Sequence, residues 1–216
     1  MRIVLWVRTG NKFGGFENYI LLFSRICKDR NYELILLNEI ENTQKDYISQ
    51  LKNNDVKIFT IGESLHHPIL CLKNIWKIIV EFRPDIFHLH FIHPLYIIAL
   101  KLFRVPIVYL TFHSSIDHKI KFITRFSRLL ANSLVTRFFA VSRKVKEDEI
   151  NAGIKREKIL VSYLGIPHEK FLERINILNE PKPLFWGNKN FLKIITIGRF
   201  FPIKGMRFVV EAAINV

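Results

Sequence analysis

Cysteine is nearly absent from this 216-residue chain, which carries only Cys27 and Cys71. Both fall in apolar helical patterns, where a thiol acts as a small buried hydrophobe, so no disulfide framework is expected. Glycine is sparse, at nine residues, and no G-x-G-x-x-G occurs. That removes the dinucleotide-binding fingerprint. A Tyr-x-x-x-Lys pair is missing too, which argues against a nucleotide-sugar-modifying Rossmann enzyme. Apolar residues make up 49% of the chain, yet every run is broken by Lys, Arg, Asp or His before the roughly 18 uncharged residues that a bilayer span needs. The apolar start, Ile3 to Val7, is too short for a signal-peptide core and runs into Arg8-Thr9-Gly10. These absences predict a cytoplasmic protein.

Acids are the scarce charge: 19 Asp and Glu against 33 Lys and Arg give a net charge of +14. The excess is concentrated between Lys101 and Lys146, where ten Lys and Arg face one acid, Asp117, for a local +9. Phe122, Ile123, Phe126, Leu129 and Leu130 recur among them at helical spacing. A basic helix with an apolar face suits the surface of an anionic membrane. It equally suits a solvated basic face over an ordinary core stripe. Nucleic acid is disfavoured, because the aromatics follow the core period and form no stacking platform.

What is present is a regular alternation of short β-rich runs with longer helical stripes. Strands are expected at Arg2–Val7, Glu33–Leu37, Val56–Ile61, Ile86–Leu89, Ile107–Phe112, Arg137–Val141 and Ile159–Ser162. Helices are expected at Phe16–Lys28, Gln44–Asn53, Ile69–Phe82, Pro94–Phe103, Lys119–Asn132 and Arg143–Asn151. Strands of near-continuous Val, Ile, Leu and Phe are buried on both faces, which implies a doubly wound parallel α/β sheet. The rhythm breaks after Ile166-Pro167, and His168 to Asn190, with Pro181, Pro183 and Gly187, reads as a linker. A fresh strand, Phe191–Ile197, and a helix from Met206 follow. The expected organisation is a domain over residues 1–170, a linker over 171–190, and the first strand and helix of a second, truncated Rossmann-like unit over 191–216.

Ligands of open parallel sheets bind beyond the carboxyl ends of the strands. Gly14-Gly15, just before a helix, either lets backbone N–H groups approach a phosphate or sugar, or serves a tight loop needing positive φ. His88-Leu89-His90, with His93 behind, has the alternation of a metal site. No nearby acid or cysteine completes it and its flanks are apolar, so buried, hydrogen-bonded histidines are expected and no metal. His113, at the tip of the fifth strand, can bond a sugar hydroxyl or act as acid or base. Ser142 is read as a helix N-cap. Arg199 and Lys204, after a strand and at the mouth of a helix, form a plausible diphosphate clamp, because Arg forks onto two phosphate oxygens and Lys adds a point charge.

Taken in order, these residues resemble the retaining glycosyltransferase family 4, of two-domain GT-B architecture. The resemblance rests on Gly14-Gly15-Phe16-Glu17, on Arg83-Pro84-Asp85-Ile86-Phe87-His88-Leu89-His90, on the strand ending at His113, on Phe139-Ala140-Val141-Ser142, and on Gly198-Arg199-Phe200 through Pro202 and Lys204-Gly205. It implies transfer of a sugar from a nucleotide-sugar donor to a polysaccharide or lipid-linked saccharide acceptor, with no cofactor and no metal. Arg199 and Lys204 would hold the donor diphosphate, His113 would contact the transferred sugar, and Gly14, Gly15 and Glu17 would line the acceptor and phosphate loop. It also implies work at the inner face of the cytoplasmic membrane. The family's E-x7-E element is not found, and Glu211 cannot replace it, so the chain is expected to be inactive alone. The competing expectation is a non-catalytic acceptor-binding module that partners a separate donor-domain chain.

Overall fold

The computed structural model describes residues 1–9, 14–39, 41, 44–62, 66–90, 94–114, 122–165, 194, 196 and 205–214. The chain divides into two compact units, Met1–Pro167 and His168–Val216. In the first, seven strands alternate with helices: β1 (Arg2–Val7), α1 (Gly15–Asp29), β2 (Glu33–Asn38), α2 (Lys45–Asn53), β3 (Lys57–Thr60), α3 (Pro68–Phe82), β4 (Ile86–Leu89), α4 (Pro94–Leu102), β5 (Ile107–Phe112), α5 (Phe122–Leu134), β6 (Arg137–Ala140), α6 (Arg143–Asn151) and β7 (Ile159–Val161). Within the second unit the described element is a helix, α7 (Met206–Ile214). The expected linker from His168 to Asn190 lies outside the described residues, as does most of the expected strand Phe191–Ile197.

All strand pairs are parallel, in the order β3-β2-β1-β4-β5-β6-β7. This is the doubly wound, Rossmann-like sheet that the apolar runs predict. Central β1 and β2 are buried on both faces, while edge strand β3 is mostly exposed, as Lys57 and a 43% exposed Phe59 require. One face carries α3, α4, α5 and α6 over Val4, Trp6, Phe87, Leu110 and Phe138. The other carries α1 and α2 over Ile3, Leu5, Val7, Leu34 and Leu36. Each fully buried Leu, Ile or Phe stabilises the sheet by roughly 1.5–3 kcal/mol. Both cysteines are buried free thiols, and burial pushes each up to about 11, so neither is a reactive thiolate.

The scarcity of glycine has a structural counterpart. Asn31, Asp55, Arg83 and Arg104, which end α1, α2, α3 and α4, have φ of 54°, 61°, 48° and 58°. Glycine usually fills this left-handed position after a helix, and a residue with a Cβ costs about 1–2 kcal/mol there. At α6 glycine is retained, with Gly153 at φ 114°.

Packing decides the face of α5. Ser127, Arg128, Ala131 and Asn132 turn inward, while Phe126 and Leu129 are 60% and 53% exposed. The core-stripe alternative for the helical apolar residues therefore does not hold at Phe126 and Leu129. The inward polar groups are satisfied: Arg128 meets Glu149, and the Asn132 amide donates to the Gly153 carbonyl at 2.8 Å.

Candidate active site

Strand order reverses between β1 and β4: the chain runs outward through β2 and β3 on one side and through β5, β6 and β7 on the other. The crevice beyond the carboxyl ends at such a switch point is where open α/β sheets bind ligands. The start of α1 and the ends of β4 and β5 converge there.

After β1, Asn38 at the end of β2 clamps the chain. Its Oδ1 accepts from the Thr9 backbone N–H at 3.0 Å, and its amide donates to Thr9 Oγ1 at 2.8 Å. The helix then opens at Gly14, whose φ of −151° is ordinary extended backbone, and among the described residues no side chain caps it. Gly14 and Gly15 thus supply no left-handed turn. At Gly14 the missing Cβ matters for another reason: a side chain there would meet the Glu17 carboxylate at 3.3 Å, whereas the space beside Gly15 is open. Glu17 is itself only 7% exposed, so a carboxylate sits beneath the uncapped first turn. Gly10 to Phe13 lie outside the described residues.

Alternation along β4 and β5 puts His88, His90, Thr111 and His113 on the α1 face, because Leu5 of β1 pairs with His88 and His88 pairs with Tyr109. His88 Nε2 lies 2.8 Å from Thr111 Oγ1, and His90 Nδ1 lies 2.7 Å from His113 Nε2. The rings of His88 and His90 stack at 4.5 Å. Phe16 stands edge-on to His113 at 4.7 Å and to His90 at 5.2 Å, and Tyr19 edge-on to His90 at 5.7 Å. The expected buried, hydrogen-bonded histidines are therefore found, with aromatic walls supplied by α1.

Burial sets the charge of this cluster. Desolvation, then the neighbouring His113, lowers His88 to about 3; desolvation lowers His113 to about 4. His90 is driven well below its usual value by desolvation, then by His88 and His113. All three are neutral imidazoles at pH 7. No group of His, Cys, Asp and Glu among the described residues is placed to hold a metal ion. On the same face, a cavity of about 380 Å³ lies beneath α1, lined by Tyr19, Phe23, Ile86, Tyr109 and Phe139, with His88 and Thr111 among its polar groups.

His113, Gly14, Gly15 and Glu17 thus gather at one end of the sheet, while Arg199, Lys204 and His93 lie outside the described residues. Ser142 caps α6, its Oγ accepting from the Val145 N–H at 3.2 Å. Phe16, Tyr19, Thr111 and the Asn38–Thr9 clamp escape sequence reasoning, although Phe16 and Tyr19, three apart just after the glycine pair, carried a usable signal.

A doubly wound parallel sheet with helices on both faces defines a Rossmann-like domain. The model of Glycosyltransferase Family 4 matches residues 13–170, more than half the chain, and the protein belongs to that family. Among curated proteins, no sequence matches it. Of the solved structures similar to it, Anabaena HepE in complex with UDP-glucose aligns with a TM-score of 0.59 at 17% identity, covering 83% of this chain and 50% of that one. A glycosyltransferase from Rickettsia africae aligns with a TM-score of 0.59 at 19% identity, covering 82% and 49%. The UDP-GlcNAc 2-epimerase of Neisseria meningitidis bound to UDP-GlcNAc aligns at 0.53 and 13% identity, covering 82% and 51%. The chain spans about half the length of the structures it matches. No helix among the described residues is long and apolar enough to cross a membrane.

Proposed function

We propose that this chain is part of a retaining glycosyltransferase that moves a sugar from a nucleoside diphosphate to a hydroxyl of a polysaccharide or lipid-linked saccharide. The observation that carries this reading is the neutral His90–His113 pair beside the uncapped start of α1, at the switch point of a family 4 sheet. The UDP, UDP-glucose and UDP-GlcNAc bound by its structural neighbours support a nucleotide-sugar donor. His113 would touch the transferred sugar. The Glu17 carboxylate beneath the first turn of α1 fits a hydroxyl better than a phosphate, so this loop is read as the acceptor side, with Gly14 and Gly15 alongside. Arg199 and Lys204 would hold the diphosphate, offsetting the charge that grows on the leaving group.

The test is donor binding by a complete two-domain form that carries these residues, titrated with UDP-glucose and other nucleoside diphosphate hexoses. Each of Arg199→Ala and Lys204→Ala removes a charge-assisted bond worth about 1.5–3 kcal/mol, so affinity should fall roughly ten- to a hundredfold. In the 216-residue chain by itself the same substitutions should change almost nothing. His113→Ala should weaken the sugar nucleotide but not free UDP. Undiminished donor affinity in both cation variants would remove the clamp from the mechanism.

The same reading places the protein at the inner face of the cytoplasmic membrane. Exposed Phe126 and Leu129 on α5, beside exposed Arg125, support docking on anionic lipid. Co-sedimentation should favour phosphatidylglycerol vesicles over phosphatidylcholine vesicles, and Phe126→Ser with Leu129→Ser should lower it several-fold. Equal binding to both lipids would sink the electrostatic part of the idea.

A further inference from the structure

His90 is 2% exposed, and one of its two ring nitrogens, Nε2, has no hydrogen-bond partner among the described residues. The rings of Phe16, Tyr19 and His88 surround it. Its other nitrogen, Nδ1, lies 2.7 Å from His113 Nε2. A neutral imidazole carries one proton, so one ring of this pair donates and the other accepts, and two arrangements exist. If His113 donates, the His90 proton must sit on Nε2, leaving a buried N–H with nothing to receive it. If His90 donates from Nδ1, only a bare lone pair is left at Nε2. Buried orphan N–H groups are rarer than under-used acceptors, and an aromatic wall offers an N–H no oxygen or nitrogen.

We propose that His90 is a positioning residue that donates from Nδ1 to His113 Nε2 and so fixes His113 in its Nδ1–H form. The single lone pair of the His113 ring is then engaged by His90. Any hydrogen bond that His113 makes to a ligand through Nδ1 is a donated one. The site therefore takes an acceptor oxygen, such as a sugar hydroxyl or ring oxygen, and His113 is not a general base near neutral pH. The low proton affinity that burial imposes on both rings is consistent with this, because neither ring becomes an imidazolium that could donate from both nitrogens. The ligand part rests on the proposed sugar contact; the tautomer part does not.

The experiment is long-range proton–nitrogen correlation of the histidine rings in the ¹⁵N-labelled 216-residue chain at pH 7, assigned by comparison with His113→Gln. His113 is expected to show a protonated Nδ1 and a bare Nε2, and His90 the same. His90→Asn, whose amide N–H occupies the place of Nδ1–H, should keep this pattern. His90→Phe should abolish it, with the two His113 nitrogen shifts converging toward the average of a tautomer mixture. A protonated His113 Nε2 in the wild type overturns the proposal, and so does an unchanged Nδ1–H in His90→Phe. Because the readout needs no ligand, its failure is separable from failure of the glycosyltransferase reading. That reading is tested in a complete two-domain form by adding UDP-glucose and then UDP, of which only the sugar nucleotide should move the His113 Nδ1 signal.

Discussion

Glu149→Ala is expected to remove about 3–5 kcal/mol of folding stability, a large part of the 5–15 kcal/mol that domains possess. Glu149 is 1% exposed, and its two oxygens take the Arg128 Nε and Nη2 hydrogens at 2.9 and 3.2 Å. Arg128, 9% exposed, also lies over the Phe112 ring at 5.3 Å. This pair links α5 to α6 from inside. Removing the carboxylate leaves a guanidinium buried without its counter-charge, and that orphan, not the lost attraction, sets the cost. Arg128→Met combined with Glu149→Leu removes both charges, and should therefore recover most of the loss. Urea unfolding of the wild type, Glu149→Ala and the double variant measures this. A single-variant loss below about 1 kcal/mol would show that water or a neighbour takes over the charge.

The second large effect is acid lability. A buried histidine whose folded value is depressed contributes stability that is complete above the unfolded value, about 6.5. As pH falls below that, the unfolded chain takes up protons that the folded one refuses. The loss continues down to the folded values, about 4 for His113 and about 3 for His88. Each such histidine removes about 1.4 kcal/mol per pH unit in that window, so the three together remove about 4. Glu149, pushed up first by burial, acts with the opposite sign, since its folded carboxyl holds a proton more readily. Its contribution opposes that of the histidines as pH falls, so the comparison with a histidine variant, and not the total slope, isolates the imidazoles. Urea unfolding at pH 7, 6.5, 6 and 5.5 should show the decline, and His88→Gln should cut its slope by about a third. Equal slopes in the wild type and His88→Gln would mean that His88 takes up its proton as readily in the fold as in the unfolded chain.

The elements most legible from sequence were those whose side chains have no choice of environment. The runs at Arg2–Val7, Ile86–Leu89 and Ile107–Phe112 are strands over the expected residues because chains apolar on both faces have one stable place, the middle of a parallel sheet. Arg143–Asn151 is legible because Ser142 caps it locally. Where an element has a free side, sequence reasoning was less exact. Edge strand β3 is shorter than the run Val56–Ile61, with Val56 buried just before it and Ile61 just after it.

What the sequence by itself determined is the order of strands and helices, the parallel sheet, and the histidines at two strand ends, all of which follow from periods of 2 and 3.6 and from local chemistry. The tertiary structure alone decided which charges are buried and which apolar groups are not. Arg128 and Glu149 lie 21 residues apart with nothing in the sequence to join them, and Phe126 and Leu129 suit a lipid-facing stripe as well as a core one; packing of α5 against the sheet and α6 buries the charges and exposes the two apolar side chains. It likewise joined His90 to His113 across 23 residues and set Phe16 against both. A helix period fixes which residues share a face, but only the neighbours that the fold brings up decide whether that face turns inward, and which nitrogen of a buried ring is left without a partner.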